Sequence, residues 1–197
     1  YKGLSDVPKG GVIGTSSLRR ESQIRNQFAG LNVRPLRGNI QTRLRKLDEG
    51  QFDGIILAAA GLERLGLRER IIQYLSVDIS IPSVGQGALG IECLDTRQDI
   101  INLLRGLDHE PTRICVEGER SVSRLLGGSC TSPLGAYARI LDNHLEMSAF
   151  VAAPNGSTCL RVVGRDEINK SGAMRLSQKL VNELSALGAR TLLDAIE

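Results

Sequence analysis

The sequence contains few aromatic residues and no tryptophan: phenylalanine and tyrosine together make up 3% of its 197 residues. Proteins that bind single-stranded nucleic acid stack the bases on aromatic side chains, so this composition argues against that class. No stretch has the length and apolarity of a transmembrane helix, and the first ten residues lack the charged-then-apolar order of a signal peptide. We therefore expect a protein of the cytoplasm or of an organellar matrix, without a membrane partner.

Residues that bind metal ions are also scarce. The sequence has two histidines and four cysteines, at positions 93, 115, 130 and 159, and no two cysteines form a CxxC pair. Neither His109 nor His144 lies at ligand spacing from a cysteine or from the other histidine. The sequence therefore predicts neither a metal site nor a disulfide framework.

The composition is otherwise that of a globular protein, with 41% apolar and 24% charged residues. The net charge of +3 is unevenly distributed: residues 1–70 carry a net charge of +6 and residues 71–197 a net charge of −3. We therefore expect any anion-binding surface in the first part of the chain.

The first part alternates strand and helix patterns. Short apolar runs predict strands at 11–14, 32–36 and 53–60. The segment from Ser17 onward has helical character, and apolar residues at i, i+4 and i+7 predict a second helix over 39–47. Ser16 or Ser17 is expected to be the N-cap of the first helix. The run 53–60 is almost entirely apolar, as expected of a strand covered by helices on both faces. This alternation indicates an α/β lobe with a parallel sheet.

The pattern changes after residue 76. A turn-rich hinge at 81–87 precedes a crossing strand at 88–93, and helices are predicted over 96–107 and 112–126. Strand patterns at 135–141, 144–151 and 159–165, joined by turn signals, predict a three-stranded antiparallel meander, and a final helix is predicted over 172–187. The expected organisation is an α/β lobe over 1–84, a hinge and crossing segment over 85–108, and a small α+β domain over 109–197.

Arginines and hydroxyl residues lie at two points where a predicted strand ends and a helix begins. The first point has Thr15, Ser16, Ser17, Arg19 and Arg20, and the second has Arg37, Asn39 and Arg43. Free N–H groups at a helix start and guanidinium groups both bind anions, and in a parallel sheet these points share one edge. Several arginines suit a ligand with several carboxylates. The alternative is that they are solvated helix-face arginines, which we expect for Arg25, Arg45 and Arg68.

Cys130 lies in a glycine-rich connection, 126–135, that follows a predicted helix. Glycines allow a bulky group to approach the backbone, so the connection is a suitable place for a covalent attachment. The alternative is that Cys130 is an inert, small apolar residue. The other three cysteines lie in predicted strands or helices and are expected to be structural.

Five segments together resemble the porphobilinogen deaminase family. They are VIGTSSLRR (12–20), LRGNIQTRL (36–44), FDGIILAAAGL (52–62), PSVGQGA (82–88) and GGSC (127–130). The resemblance implies a periplasmic-binding-protein-like α/β lobe. It also implies a transferase of tetrapyrrole synthesis that joins four porphobilinogen molecules, with release of ammonia, onto a dipyrromethane cofactor bound through a thioether to Cys130.

The resemblance also implies residue roles. Ser17, Arg19, Arg20 and Asn39 are expected to hold cofactor carboxylates, and Thr15, Arg37, Arg43 and Gln86 to hold the substrate or the growing chain. Each added pyrrole brings an acetate and a propionate, and burying such charge unpaired would be costly. Gln86 matches the hinge residue of the family.

The family's catalytic aspartate belongs to an N-terminal domain, and no acidic residue here lies in a matching motif. We therefore assign no catalytic residue in this chain and expect an N-terminal domain as its partner, residues 88–107 returning to that domain, and a monomeric complete enzyme. The chain alone is expected to be inactive. Ser129, between the glycines and Cys130, departs from the family pattern.

Two other classes of function share part of this pattern. A nucleic-acid-binding module would carry its basic residues along one exposed helix, whereas these lie at strand-to-helix turns. A non-catalytic, two-lobed receptor for polycarboxylates would share the α/β lobe and the hinge, but would have no use for the Cys130 connection.

Overall fold

The computed structural model describes residues 1–129 and 132–195. Its first part contains a parallel three-stranded sheet, with β1 at Val12–Gly14, β2 at Asn32–Arg34 and β3 at Gly54–Ile55, in the order β2-β1-β3. Ile13 of the central strand pairs with Val33 on one side and Gly54 on the other. Ile13, Ile24 and Val33 form the centre of the lobe's core. The predicted parallel α/β arrangement is confirmed.

Two helices follow the first two strands, as predicted. Helix α1 covers Leu18–Gln27 with Ser17 as N-cap, and α2 covers Ile40–Asp48. The Asn39 side-chain oxygen accepts a hydrogen bond from the backbone N–H of Thr42, 2.8 Å away, and so caps α2.

The predicted strand 53–60 is wrong over most of its length. Strand β3 ends at Ile55, and helix α3 covers Ala59–Arg64. The last backbone hydrogen bond to β1 runs from Ile56 N–H to the Gly14 carbonyl. Beyond that point the chain has no strand partner, and successive alanines favour a helix. Gly54 and Ile55 are also only partly buried, so the expectation of two covered faces is not met.

The predicted crossing strand at 88–93 is also wrong. This segment has no regular secondary structure, and it exposes 80% of Leu89 and 61% of Ile91. A strand requires a neighbouring strand for its backbone groups, and no described residue supplies one. The helix predicted over 96–107 is present as α4, Gln98–Leu104, extended by a 3₁₀ turn at Arg105–Leu107.

The last part is a small α+β domain. The antiparallel meander is confirmed, with β4 at Leu134–Leu141, β5 at His144–Ala152 and β6 at Cys159–Asp166. Helices α5, Glu110–Leu125, and α6, Lys170–Ala186, pack on one face of this sheet and bury a core that includes Met147. A further helix, α7 at Ala189–Asp194, was not predicted. It follows Gly188, whose φ of 97° only glycine adopts easily.

The other face of the meander contacts the first lobe. Ile81 packs against Phe150 and Ala152 of β5, and all three are buried. Arg161 of β6 donates hydrogen bonds to the backbone carbonyls of Val77 and Asp78. The segment before the hinge is therefore held by the C-terminal domain. Within 1–129 and 132–195, the helices are all too short or too polar to cross a membrane.

Candidate anion-binding site

A pocket of about 560 Å³ opens at the edge of the first lobe where β3 gives way to α3. Its walls are mostly apolar, with Ile56, Leu57 and Leu75 among them, and Arg19 and Arg20 supply its cationic groups together with Arg70. Gln86 from the hinge also lines it. Three of the predicted site residues, on two different segments, therefore meet at one pocket.

Arg19 is the more deeply buried of the two adjacent arginines, with 7% of its surface exposed. Its Nη1 donates to the Ile81 carbonyl at 2.5 Å, and its Nη2 lies 3.5 Å from Oε1 of Gln86. Burial, and secondarily the charge of Arg20, lowers the pKa of Arg19 to about 10. A nearby anion would remove this destabilisation of the guanidinium cation.

Arg20 is in a similar position. Its Nη1 donates to the Ile56 carbonyl at 3.0 Å, and burial followed by the charge of Arg43 lowers its pKa. Across residues 1–129 and 132–195, neither Arg19, Arg20 nor Arg43 forms an ion pair with an acidic side chain. Mutually repelling cations without a carboxylate partner make a site for an anion. In contrast, Arg25 pairs with Glu21 and Arg45 with Glu49, in agreement with their prediction as helix-face residues.

The hydroxyl residues of the first turn hold the backbone in place. The buried Thr15 accepts a hydrogen bond at its Oγ1 from the Ser17 N–H, at 3.2 Å. The Ser16 hydroxyl donates to the Leu36 carbonyl at 2.8 Å and accepts from the Leu36 N–H at 3.0 Å. Ser16 thus fixes the two strand-to-helix turns side by side, a role that was not predicted.

The second turn lies beside the pocket without lining it. Arg37 and Asn39 are exposed, and Arg43 donates from Nε to the Gly38 carbonyl at 2.8 Å. The predicted residues that are not among those lining the pocket are Thr15, Ser17, Arg37, Asn39 and Arg43. The structure therefore brings Arg19, Arg20 and Gln86 together at the pocket. Arg43 does not line the pocket, but its positive charge contributes to the lowered pKa of Arg20.

Gln86 belongs to a tight turn at the hinge. Its Oε1 accepts from the Ser83 hydroxyl at 3.0 Å, and its backbone N–H donates to the Ser83 carbonyl. The flanking Gly85 and Gly87 have φ values of 69° and 94°, a left-handed conformation that favours glycine. The PSVGQGA segment therefore forms a turn of defined shape beside Arg19.

Gln23 is a site residue that sequence reasoning missed. Its amide Nε2 donates to the carbonyls of Arg19 and Ile81, and its Oε1 accepts from the Ile81 N–H at 2.8 Å. Gln23 is buried on the inner face of α1, one turn beyond Arg19. The sequence carries no clear signal for this burial, because the residues at helical spacing from Gln23 are Arg19, Arg20, Asn26 and Gln27, all of them polar.

The next groups to consider are the acidic residue at the pocket, Asp53, and the cysteines of the chain. Asp53 lines the pocket, but its oxygens accept hydrogen bonds from the Val12 N–H and the Tyr1 hydroxyl. Cys130, the predicted attachment point, lies outside the described residues. Burial raises the pKa of the Cys115 and Cys159 thiols, which favours their unreactive form. Cys93 is exposed and lies in no strand, so its predicted place in a strand is wrong.

Comparison with known proteins gives two family matches along the chain. Residues 1–102 match the family model described as "Porphobilinogen deaminase, dipyromethane cofactor binding domain", and residues 113–186 match the one described as "Porphobilinogen deaminase, C-terminal domain". The whole chain aligns at 54% identity with the porphobilinogen deaminase of Thiobacillus denitrificans and at 50% with that of Nitrosomonas europaea.

The chain spans 63% of the length of each of these two relatives. Matches to both family models leave the alternative of a two-lobed anion receptor without support. The pocket beside Arg19 and Arg20 thus lies in a segment matched as a cofactor-binding domain. The chain belongs to the porphobilinogen deaminase family.

Proposed function

We propose that this chain is the cofactor-carrying part of a hydroxymethylbilane synthase, a transferase of tetrapyrrole synthesis. The complete enzyme joins four porphobilinogen molecules into hydroxymethylbilane and releases ammonia. The observation that carries the proposal is the pair of arginines, Arg19 and Arg20, which are largely buried at one pocket with no acidic partner among the described residues.

The residues at the pocket fit a dipyrromethane group. Each of its pyrrole rings carries two carboxylates, and a guanidinium has five N–H donors of which Arg19 directs only Nη1 and Nη2 at protein acceptors. A carboxylate beside Arg19 would offset the burial that lowers its pKa. The apolar walls suit the pyrrole rings. Arg19 and Arg20 are the residues that would hold the cofactor, with Ser17 and Asn39 beside them.

When bound through Cys130, the dipyrromethane supplies the pyrrole carbon to which the new units are joined. The residues of this chain would bind and orient the cofactor, the substrate and the growing chain. Arg19 and Arg20 neutralise carboxylates, and Ile56 and Leu57 exclude water from the ring faces. Thr15, Arg37, Arg43 and Gln86 would hold the substrate or the growing chain, whose negative charge increases with every unit.

The proton-transferring carboxylate is proposed to come from another part of the enzyme. Asp53 is the acidic residue that lines the pocket, and it already accepts hydrogen bonds from a backbone N–H and a tyrosine hydroxyl. The partner we propose is therefore the N-terminal domain of the same enzyme. The complete enzyme would be a cytoplasmic monomer, in which the periplasmic-binding-protein-like lobe and the C-terminal domain meet at the hinge.

The test uses the complete enzyme and measures porphobilinogen consumption, ammonia release and the intact mass of the protein. We expect a mass increase equal to one dipyrromethane, located on Cys130 by peptide mapping, and its loss in Cys130→Ala together with activity. A folded enzyme that consumes no porphobilinogen, or a pigment found on Cys93, Cys115 or Cys159, would overturn the proposal.

A further inference from the structure

Glu119 is a buried carboxylate that the anion-binding site does not use directly. It lies on α5 in the C-terminal domain, with 5% of its surface exposed. Its Oε2 accepts from the Gly85 N–H at 2.6 Å, and its Oε1 accepts from the Ala138 N–H at 2.8 Å. One carboxylate thus joins the hinge turn, α5 and strand β4.

The Gly85 contact is close to the pocket. Gly85 directly precedes Gln86, whose side-chain oxygen lies 3.5 Å from Nη2 of Arg19. The left-handed φ of Gly85 and the bond from Gln86 N–H to the Ser83 carbonyl determine how the turn presents that side chain. A continuous set of contacts therefore runs from Glu119 through Gly85 and Gln86 to Arg19.

The environment of Glu119 shows that it is not an ordinary ion-pair residue. Burial raises its pKa, whereas the two backbone hydrogen bonds and the charge of Arg120 act in the opposite direction. No described basic side chain lies within ion-pair distance of it. A buried carboxylate is costly unless its oxygens are satisfied, and both acceptors here are used by backbone N–H groups of separate segments.

We propose that Glu119 is a positioning residue, which fixes the hinge turn 83–87 on the C-terminal domain and so places Gln86 and Arg19 for their anionic ligand. The identity of that ligand rests on the proposed function, but the positioning does not. The same carboxylate determines where the turn stands relative to β4, the strand that follows the Cys130 connection.

The test compares Glu119→Gln with the unaltered complete enzyme. The amide keeps the size of the side chain but turns an N–H₂ group toward one of the two backbone N–H groups. We expect faster hydrogen exchange in peptides that cover 83–87, and a decrease in kcat/KM of about tenfold, the effect of one lost charge-assisted hydrogen bond. Glu110→Gln, an exposed change on the same helix, is the matched control and should alter neither measurement.

A double-mutant cycle with Gln86→Ala separates positioning from a general loss of stability. If Glu119 acts through Gln86, the double variant should lose little more activity than Gln86→Ala alone, whereas independent effects would multiply. Should Glu119→Gln not fold, Glu119→Asp keeps the charge but shortens the reach, and it should show the same change in exchange to a smaller degree.

Unchanged exchange over 83–87 in the folded variants, or fully multiplicative effects, would overturn the positioning role. If exchange over 83–87 responds to Glu119→Gln but the unaltered complete enzyme consumes no porphobilinogen, the proposed function is refuted and the positioning role stands.

Discussion

Arg19 and Ile81 are joined by a 2.5 Å hydrogen bond from the buried guanidinium to a backbone carbonyl 62 residues further along the chain. Gln23, on the next turn of α1, binds both the N–H and the carbonyl of the same Ile81. Ile81 in turn packs on Phe150 of the C-terminal domain. The cationic end of α1 is therefore fixed to Ile81, the first residue of the hinge, by polar contacts that need no ligand, so the site is organised in advance of binding.

Replacing Gln23 by leucine should lower the free energy of unfolding by about 1–3 kcal/mol, because the buried Ile81 N–H loses its acceptor. Urea unfolding measures the difference. Gln27→Leu on the same helix is the control, since Gln27 donates to backbone carbonyls at an exposed position. Equal effects of the two substitutions would show that the Gln23–Ile81 contact does not stabilise the fold.

Arg19→Leu and Arg20→Leu should impair retention of the dipyrromethane. Each would remove the proposed charge-assisted contact to a cofactor carboxylate, worth about 1.5–3 kcal/mol, or roughly 10- to 150-fold in an equilibrium constant. The fraction of protein with cofactor, measured by intact mass after dialysis, reports the loss. Arg45→Leu, which removes a cation from the exposed face of α2, should leave that fraction unchanged.

Arg37→Leu and Arg43→Leu should keep the cofactor but stall chain growth. Both residues lie beside the pocket and do not line it, as expected of groups that contact units added later. Mass spectra taken during turnover should then show enzyme with fewer added units than the unaltered protein accumulates. Loss of cofactor in these variants would place both residues with Arg19 and Arg20.

The parts of the fold that the sequence predicts are those with local signals. The helix from Leu18 follows from the Ser17 N-cap and a run of helix-forming residues, and the meander follows from turn residues such as Asp142 and Asn143, which both have positive φ. The errors at 53–60 and 88–93 have one cause. A short apolar run indicates burial or β-propensity, but only a partner strand makes it a strand, and neither run has one along its full length.

The site shows the same limit. Arg19 and Arg20 are recognisable because they begin a helix after a strand. The contacts that hold Arg19 in place cannot be predicted from the sequence, since Ile81 and Gln86 lie more than 60 residues away along the chain. The role of Glu119 depends on a contact between α5 and the hinge that no local pattern encodes.

The stability of the protein should decrease at acid pH partly through Glu146. This carboxylate accepts hydrogen bonds from Arg139 and Arg165, which lower its pKa below the ordinary value of 4.5. The unfolded state then binds a proton first as the pH falls, so the stabilisation is complete above 4.5 and is lost as the pH falls through the lower, folded-state pKa.

Glu146→Gln should therefore be less stable than the unaltered protein at neutral pH, and the difference should shrink as the pH falls below 4.5. Urea unfolding at several pH values and low salt measures it, because salt weakens exposed ion pairs. Gln178→Glu changes the charge at an exposed position of α6 without touching this cluster and serves as a control. A difference between Glu146→Gln and the unaltered protein that is independent of pH would contradict the prediction.

A polypeptide limited to residues 1–197 should not convert porphobilinogen. The pocket of this chain supplies cations and apolar walls, and its acidic residue Asp53 is occupied by the Val12 N–H and the Tyr1 hydroxyl. Guanidinium groups bind carboxylates but do not transfer the proton that deamination requires.

The exposed Leu89, Ile91 and Leu94 should also promote association of the polypeptide, which light scattering would detect. Activity is then assayed with and without a separately produced N-terminal domain of a relative. Turnover that appears only on addition of that domain supports the assignment, whereas full turnover by a homogeneous monomer of residues 1–197 would show that the proton-transferring group lies within this chain.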